Sequence, residues 1–136
     1  MIERLLADLR RDEGERLKPY RCTAGRLTIG VGRNLDDVGI SAQESDYLLR
    51  NDVARVTNEL DRSVPWWRTL DEPRRRALAN MAFNLGVPRL LGFKNMLAAL
   101  KAQEWDRATQ EALNSRWASQ VGDRAARIAA TFKTGA

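Results

Sequence analysis

Residues 13–32 read EGERLKPYRCTAGRLTIGVG, and a change of pattern in this stretch decides the fold. Apolar side chains before it recur at the three-to-four residue spacing of an amphipathic helix, at Ile2, Leu5, Leu6 and Leu9. Gly14 suits the position that ends a helix, so we expect the first helix to run to about Glu13. From Leu17 to Leu35, short alternating pieces separated by turn residues predict a small antiparallel sheet.

The rest of the chain has helical patterns. Ser41, followed three residues later by Glu44, forms a capping box that opens a long helix ending near Arg62. Pro65 breaks this helix. Later helices are expected from Pro73 to Gly86, around Phe93 to Leu100, from Trp105 to Leu113, and from Asp123, as N-cap, to Phe132. The fold class is therefore α+β, mostly α, with a small N-terminal antiparallel β-sheet.

The composition limits the chemistry that this chain can perform. It has 136 residues, a formal charge of +5, one cysteine and no histidine. A single cysteine excludes an internal disulfide, and the usual ligand sets for zinc, copper and non-haem iron are missing. Ser-His-Asp and Cys-His nucleophilic sites are excluded as well. Acid-base chemistry must rest on carboxylates, the thiol, lysine or tyrosine, and we expect neither a metal nor a cofactor.

The charge and the N-terminus bear on partners and location. Excess positive charge favours anionic partners, from nucleic acid to peptidoglycan carboxylates, without choosing among them. Residues 1–8, MIERLLAD, lack the uninterrupted apolar core of a signal peptide, and no stretch approaches a membrane span in length. We therefore expect synthesis to end in the cytoplasm. A substrate in the cell wall or periplasm would then be reached after release by a separate factor.

The order of three residues within the segment 13–32 resembles that of the active-site segment of the phage-type (T-even) lysozymes. Eight residues separate Glu13 from Cys22 and five separate Cys22 from Thr28, where the family has Glu, Asp and Thr. Similar segments follow in the family's order: TIGVG (28–32), RRALANMAF (75–83), GFKN (92–95), SRW (115–117) and TFKTG (131–135). The resemblance covers nearly the whole chain and implies an endolysin, a muramidase that cleaves peptidoglycan.

The resemblance also implies a lysozyme-like two-lobed fold within one domain, 1–136. The small lobe would span about 14–40 and a linking helix about 41–62. The helical lobe would span about 63–136 together with the first helix. Because the stretch 34–41 is short, we expect a smaller N-terminal lobe than in longer members of the family.

Glu13 suits the role of general acid. Glycosidic cleavage needs a carboxylic acid that protonates the leaving oxygen and a second group across the sugar. At a helix C-terminus, the negative end of the dipole favours the protonated form that an acid needs. By resemblance, Glu13 is this acid and Thr28 helps to position the attacking water or the sugar.

The resemblance implies further substrate-binding residues. Gly32 matches a point of close backbone approach to the glycan, and Phe83 and Asn84 match residues near the sugar cleft. Core packing is an equally good explanation for Phe83. Arg124 matches an arginine that pairs with the catalytic acid, which would favour the charged form of Glu13 and oppose the helix dipole.

Cys22 departs from the family's aspartate. An ordinary thiol has a pKa of about 8.5 and is only partly ionised at neutral pH, although Arg21 and Arg26 would lower that pKa. Three interpretations remain open. Cys22 acts as a nucleophile or an electrostatic stabiliser, the substitution leaves a weak or inactive enzyme, or Asp36 or Asp37 compensates.

The sequence also allows predictions for one further arginine and for one run of arginines. The family often has His where this chain has Arg33, and we expect this change to remove a structural ion pair rather than catalysis. The run Arg74-Arg75-Arg76 is interpreted as a solvated helix face.

Three functions are weighed. The first is a peptidoglycan hydrolase cutting between N-acetylmuramic acid and N-acetylglucosamine, and the second is a catalytically impaired peptidoglycan-binding relative. A nucleic-acid binder is the weakest, because no recognition motif is present. We expect a monomer whose partner is bacterial peptidoglycan, with no nucleic acid and no membrane span.

Overall fold

The structure is a computed structural model that describes the whole chain, Met1–Ala136. Its helices and its one small antiparallel sheet near the N-terminus confirm the α+β, mostly α, fold. The elements are α1 (Ile2–Glu13), β1 (Arg16–Arg21), β2 (Leu27–Gly30), β3 (Arg33–Asn34), α2 (Ala42–Ser63), a 3-10 helix (Pro65–Thr69), α3 (Glu72–Leu85), α4 (Val87–Leu90), α5 (Lys94–Lys101), α6 (Trp105–Leu113), α7 (Arg116–Val121) and α8 (Asp123–Thr134).

The first helix ends where its sequence predicts. Gly14 has a φ of 76°, a left-handed conformation that glycine adopts readily, and its N–H donates to the Arg10 carbonyl at 3.0 Å. No residue of α1 is buried. Its apolar side chains are 38–57% exposed, at Ile2, Leu5, Leu6 and Leu9.

The three strands pair in the order β1-β2-β3, all antiparallel. Tyr20 lies opposite Thr28, and the register shifts between Arg16 and Tyr20. Pro19 falls within this irregular part. Proline cannot donate to a ladder, and it is tolerated here because β1 is an edge strand.

The predicted capping box opens α2. The Glu44 N–H donates to Ser41 Oγ at 3.1 Å, and the Ser41 N–H donates to Glu44 Oε1 at 2.8 Å. Arg33 Nη1 donates to the same carboxylate oxygen at 2.8 Å and to the Gly39 carbonyl at 3.1 Å. The hydrogen bond from Arg33, followed by that from the Ser41 N–H, lowers the pKa of Glu44 to about 2. The expected loss of an ion pair at Arg33 is therefore wrong, since Arg33 forms one with Glu44.

The hydrophobic core lies in the helical part of the chain. The fully buried large side chains all follow residue 48 and come from α2 to α8: Leu60, Leu78, Met81, Leu90, Met96, Leu100 and Phe132. The last helix, α8, packs against α3, α6 and α7. Trp67 and Trp117 are buried, while Trp66 and Trp105 pack against the core from its edge.

Helix ends after Gly86 differ in part from the prediction. Helix α8 begins at Asp123 itself and has Gly122 as its N-cap, so Asp123 lies in the first turn rather than at the cap. In the first turn its carboxylate still interacts favourably with the positive end of the helix dipole. The short helices α4 and α7 were not predicted, although Ser115 caps α7 by accepting from the Ala118 N–H at 3.2 Å.

Arg74 is buried, so the interpretation of the arginine run as a solvated face is wrong at this position. Its guanidinium lies 3.8 Å from the centre of the Trp105 ring and donates to the carbonyls of Phe132 and Lys133 at 2.8 and 3.1 Å. Because these carbonyls belong to the last turn of α8, Arg74 ties the end of α8 to α3. Arg76 is exposed, as the interpretation expects.

The chain divides into two compact units, Met1–Leu48 and Leu49–Ala136. The first unit contains α1, which the sequence analysis groups with the helical lobe, and α2 begins in the first unit and ends in the second. The division into lobes stays a prediction. No helix combines the length and the apolar composition needed to cross a membrane.

Candidate active site

Glu13, the last residue of α1, lies against Gly32. A methyl group placed on Gly32 would be 3.4 Å from Glu13 Oε2 and 3.7 Å from its Cδ. Gly32 has a φ of 70°, a conformation that other residues rarely adopt. The structure thus brings these two predicted site residues together and leaves the carboxylate exposed to solvent.

Cys22 follows β1 and begins the turn that leads to β2. Its carbonyl accepts from the Gly25 N–H at 2.8 Å, and its N–H donates to the Arg26 carbonyl at 3.0 Å. The thiol is free and half-buried. A hydrogen-bonded turn therefore fixes the backbone that carries the thiol.

The pKa of the Cys22 thiol is lowered from its ordinary value. The largest cause is the backbone N–H of Arg26, followed by that of Ala24, because both donate toward the sulfur and favour its charged form. Partial burial of the sulfur opposes them. A larger fraction of this thiol is ionised near neutral pH than of an ordinary cysteine.

The guanidinium charges of Arg21 and Arg26 do not cause this shift, contrary to expectation. Arg21 Nη1 lies 3.7 Å from Asp36 Oδ2, and Arg26 Nη1 lies 3.7 Å from Asp37 Oδ1. Both carboxylates also accept hydrogen bonds in the turn, Asp36 from the Leu27 N–H at 2.8 Å and Asp37 from Asn34 Nδ2 at 2.9 Å. These structural contacts argue against compensation for Cys22 by either aspartate.

Thr28 lies on the central strand β2 and is 4% exposed. Its hydroxyl donates to the Arg26 carbonyl at 2.9 Å and also contributes, less than the backbone N–H groups of Arg26 and Ala24, to the lowered pKa of Cys22. A hydroxyl has a single hydrogen, so it serves the carbonyl or the thiolate at any one time. The structure thus brings Cys22 and Thr28 together around the turn.

Phe83 and Arg124 line one cavity of the Leu49–Ala136 unit. Its volume is about 390 Å³, and its walls come from α2, α3 and the start of α8. Phe83 is 41% exposed, so it is not a plain core residue. Arg124 Nε donates to Asn80 Oδ1 at 2.9 Å, and its Nη2 donates to the Asn80 carbonyl at 3.3 Å. Asn80 belongs to the RRALANMAF segment, but nothing in that segment predicts its contact with a residue 44 positions later.

Asn84 does not line this cavity. Its Oδ1 accepts from Trp117 Nε1 at 2.7 Å, and the Trp117 ring meets Phe93 edge-on with 6.3 Å between ring centres. This contact gives Asn84 a structural partner on α7. Its sugar-binding role stays a prediction.

The predicted site residues thus fall into two sets. Glu13, Cys22, Thr28 and Gly32 belong to the first unit, and Phe83, Asn84 and Arg124 belong to the second. No group of three or more Cys, Asp or Glu side chains is placed to hold a metal ion. The chemistry available to the first set is proton donation by a carboxylic acid and nucleophilic or electrostatic action by a thiolate.

Known proteins are similar in sequence to this chain over most of its length. The phage lysozyme family model matches residues 10–130. Probable T4-type lysozyme 2 of Dictyostelium discoideum is 31% identical over 164 aligned residues, covering 99% of this chain and 96% of that protein. The endolysin of Salmonella phage P22 is 34% identical over 110 residues, 69% of this chain and 74% of its own.

A phage spike protein also contains a similar region. The pre-baseplate central spike protein Gp5 of Enterobacteria phage T4 is 31% identical over 155 residues, which cover 93% of this chain but only 27% of that protein. The match to the family model alone spans far more than half of the chain. The chain therefore belongs to the phage lysozyme family, and it is a lysozyme, a hydrolase of peptidoglycan.

Proposed function

We propose that this lysozyme cleaves the β-1,4 bond between N-acetylmuramic acid and N-acetylglucosamine, with Glu13 as general acid and Cys22 in the place of the family's aspartate. The observation that carries the proposal is the pair of groups in the Met1–Leu48 unit. An exposed carboxylate lies against Gly32, and a half-buried thiol has backbone donors aimed at its sulfur. The two groups match the two roles that glycosidic cleavage requires.

In the first step Glu13 donates its proton to the glycosidic oxygen as the bond to the anomeric carbon breaks. If Cys22 is the nucleophile, its thiolate forms a carbon–sulfur bond at that carbon. Water then displaces the sulfur, Glu13 takes the proton from the water, and the thiolate is restored. If Cys22 is instead an electrostatic stabiliser, the thiolate stays unbonded, water attacks the anomeric carbon directly, and the Glu13 carboxylate left by the first step takes the proton from that water.

The other predicted residues bind and position the substrate. Thr28 lies beside the turn that begins at Cys22, where its hydroxyl positions water or sugar. The left-handed backbone at Gly32 allows the glycan chain to approach closely. Phe83 and Arg124 offer an apolar face and a positive charge in one cavity, and Asn84 contributes its free amide hydrogens.

In its biological setting we propose that the protein acts as a monomeric phage endolysin. The endolysins among its relatives support this role. It would reach the cell wall after release by a separate factor and lyse the host.

The test is the loss of turbidity of outer-membrane-permeabilised Gram-negative cells. The parent protein is compared with Glu13→Gln, Cys22→Ala and Cys22→Asp, and Asp12→Asn serves as control for the loss of a neighbouring carboxylate on α1. We expect clearing by the parent, Cys22→Asp and Asp12→Asn, and at least a hundredfold slower clearing by Glu13→Gln, on the order of the loss expected for a general acid.

The alternative, a catalytically impaired peptidoglycan-binding relative, is motivated by the same cysteine. It predicts that the parent binds peptidoglycan without releasing reducing ends and that Cys22→Asp gains activity. Full clearing by Glu13→Gln would contradict the proposed acid, and full clearing by Cys22→Ala would remove the thiol from the mechanism.

A further inference from the structure

The Arg26 N–H that points at the Cys22 sulfur belongs to the peptide group between Gly25 and Arg26. In a planar trans peptide the C=O and the N–H point in opposite directions. The C=O of this peptide is the Gly25 carbonyl, which accepts from Arg21 Nη1 at 3.1 Å. A contact that holds the carbonyl therefore also fixes the direction of the N–H.

The next peptide group along the chain is held as well. Its N–H, that of Leu27, donates to Asp36 Oδ2 at 2.8 Å. Its carbonyl, that of Arg26, accepts from the Cys22 N–H at 3.0 Å. Arg21 Nη1 lies 3.7 Å from the same Asp36 oxygen, so the two side chains form an ion pair. This one pair therefore contacts both of the peptide groups that flank Arg26.

We propose that Arg21 and Asp36 are positioning residues that aim the Arg26 N–H at the Cys22 sulfur. The inference rests on the proposed use of the Cys22 thiolate in cleavage. A backbone donor stabilises an anion only while it points at it, because a hydrogen bond weakens steeply away from linearity. The Arg21–Asp36 pair keeps that direction before substrate binds. Asp36 thus acts on the thiol through the backbone and does not replace it.

A second ion pair beside the same turn provides a matched control. Arg26 Nη1 lies 3.7 Å from Asp37 Oδ1, the same separation as in the Arg21–Asp36 pair. The Arg26 guanidinium makes no hydrogen bond to the backbone, and the Asp37 carboxylate accepts from Asn34 Nδ2 instead. These two pairs contain all the charged side chains of residues 21–27 and 34–38. The second pair has the same charges as the first without its hold on the peptide groups.

The experiment follows alkylation of Cys22 by iodoacetamide as a function of pH in the full chain. Each rate is divided by that of the same protein unfolded in urea. We expect Arg21→Met to slow the reaction at neutral pH about three- to tenfold, the factor that the loss of one hydrogen bond implies. The rate should recover at a pH high enough to ionise any thiol. Arg26→Met, which removes the same charge, should stay within about twofold of the parent.

Two substitutions of Asp36 separate position from charge. Asp36→Asn loses the charge but keeps an oxygen that accepts from the Leu27 N–H, so alkylation should be at least as fast as in the parent. Asp36→Ala loses both, and alkylation should slow as in Arg21→Met. If the carboxylate acted only through its charge, both variants would react faster, because a nearby anion disfavours the thiolate. Asp37→Ala is the control for the loss of a neighbouring carboxylate.

The alkylation rates can overturn the proposal in several ways. Equal slowing in Arg21→Met and Arg26→Met would do so, as would faster alkylation of both Asp36 variants. An unchanged rate in Arg21→Met would also contradict it. Slowing that persists at high pH would indicate lost access to the sulfur rather than a misdirected donor, and it would overturn the proposal too.

Peptidoglycan hydrolysis connects the pair with the proposed reaction. Arg21→Met should lower kcat at neutral pH by the same factor, with KM little changed. It should have no such effect in the Cys22→Asp background, because a carboxylate there stays ionised. An equal fall in both backgrounds would indicate a structural role and overturn the proposal. Failure of the parent to release reducing ends would instead contradict the proposed function, and the alkylation rates would still decide whether the pair positions the donor.

Discussion

The two compact units of this protein are ordered by different physical means. In Met1–Leu48 the only buried residue is Thr28, and the turns are held by hydrogen bonds and ion pairs such as Arg33–Glu44 and Arg21–Asp36. In Leu49–Ala136 a contiguous set of buried apolar side chains from α2 to α8 forms the core. The first unit carries the proposed acid and thiol. Stability and chemistry therefore depend largely on different residues, and substitutions can separate them.

The largest loss of stability is expected in the helical core. Phe132 is 0% exposed, so Phe132→Ala should lower the free energy of unfolding by about 3–5 kcal/mol. Leu17→Ala in β1, where Leu17 is 84% exposed, is the matched control and should change it little. Urea unfolding followed by circular dichroism measures both. Comparable losses would contradict the contrast between the units.

A smaller loss is expected from the buried arginine. Arg74→Met leaves the Phe132 and Lys133 carbonyls without their donor, and we expect a loss of about 2–3 kcal/mol. Arg76→Met, two residues along the same helix, alters an exposed side chain and should stay within about 0.5 kcal/mol. The same urea titration compares them. Equal losses for the two variants would instead support the interpretation of Arg74 as part of a solvated helix face.

The ion pair of the first unit should give its stability a dependence on pH. The folded-state pKa of Glu44 is lowered to about 2, below the unfolded value of about 4.3. The contribution is therefore complete above the unfolded pKa and is lost as pH falls through the folded one. Glu44→Gln should have a melting temperature that falls less than the parent's between pH 5 and about pH 2. Parallel melting curves for the two proteins would contradict this role.

These comparisons separate what the sequence predicts from what it cannot. Local rules suffice for the capping box at Ser41 and for the helix ends at Gly14 and Gly86, because the signals lie within a few residues of the feature. The four-residue helix α4 is too short to establish a helical period. Arg74 differs from Arg76 only through contacts with Trp105 and α8, which no local pattern contains.

The candidate site shows the same limit. The resemblance indicated Glu13, Cys22 and Thr28 as residues of one site, and their roles remain predictions. The sequence placed basic side chains near the thiol, whereas the lowered pKa arises from backbone N–H groups whose direction depends on the turn. The contact between Asn80 and Arg124 joins residues far apart in the chain, so no local sequence pattern predicts it.

The last prediction concerns the reactivity of the Cys22 thiol, which chemical modification tests without any substitution. Because the pKa of Cys22 is lowered, its thiolate should react with iodoacetamide faster at neutral pH than an ordinary cysteine does. Alkylation should abolish clearing by the parent and leave Cys22→Asp unaffected, since the variant has no cysteine. Mass spectrometry of the modified protein confirms the site. Full activity of the alkylated parent would exclude a role for the sulfur.

The most direct test of the account is the pH dependence of peptidoglycan hydrolysis by the parent and by Cys22→Asp. The initial rate of reducing-end release is measured from about pH 5 to 9, a range that includes thiol ionisation but not that of an ordinary aspartate. If the thiolate is the working form, the rate of the parent divided by that of Cys22→Asp rises with pH as Cys22 ionises, because the proposed acid is common to the two proteins. An aspartate at position 22 stays ionised over this range. Profiles of the same shape for the two proteins would contradict the claim that the thiol performs the aspartate's role.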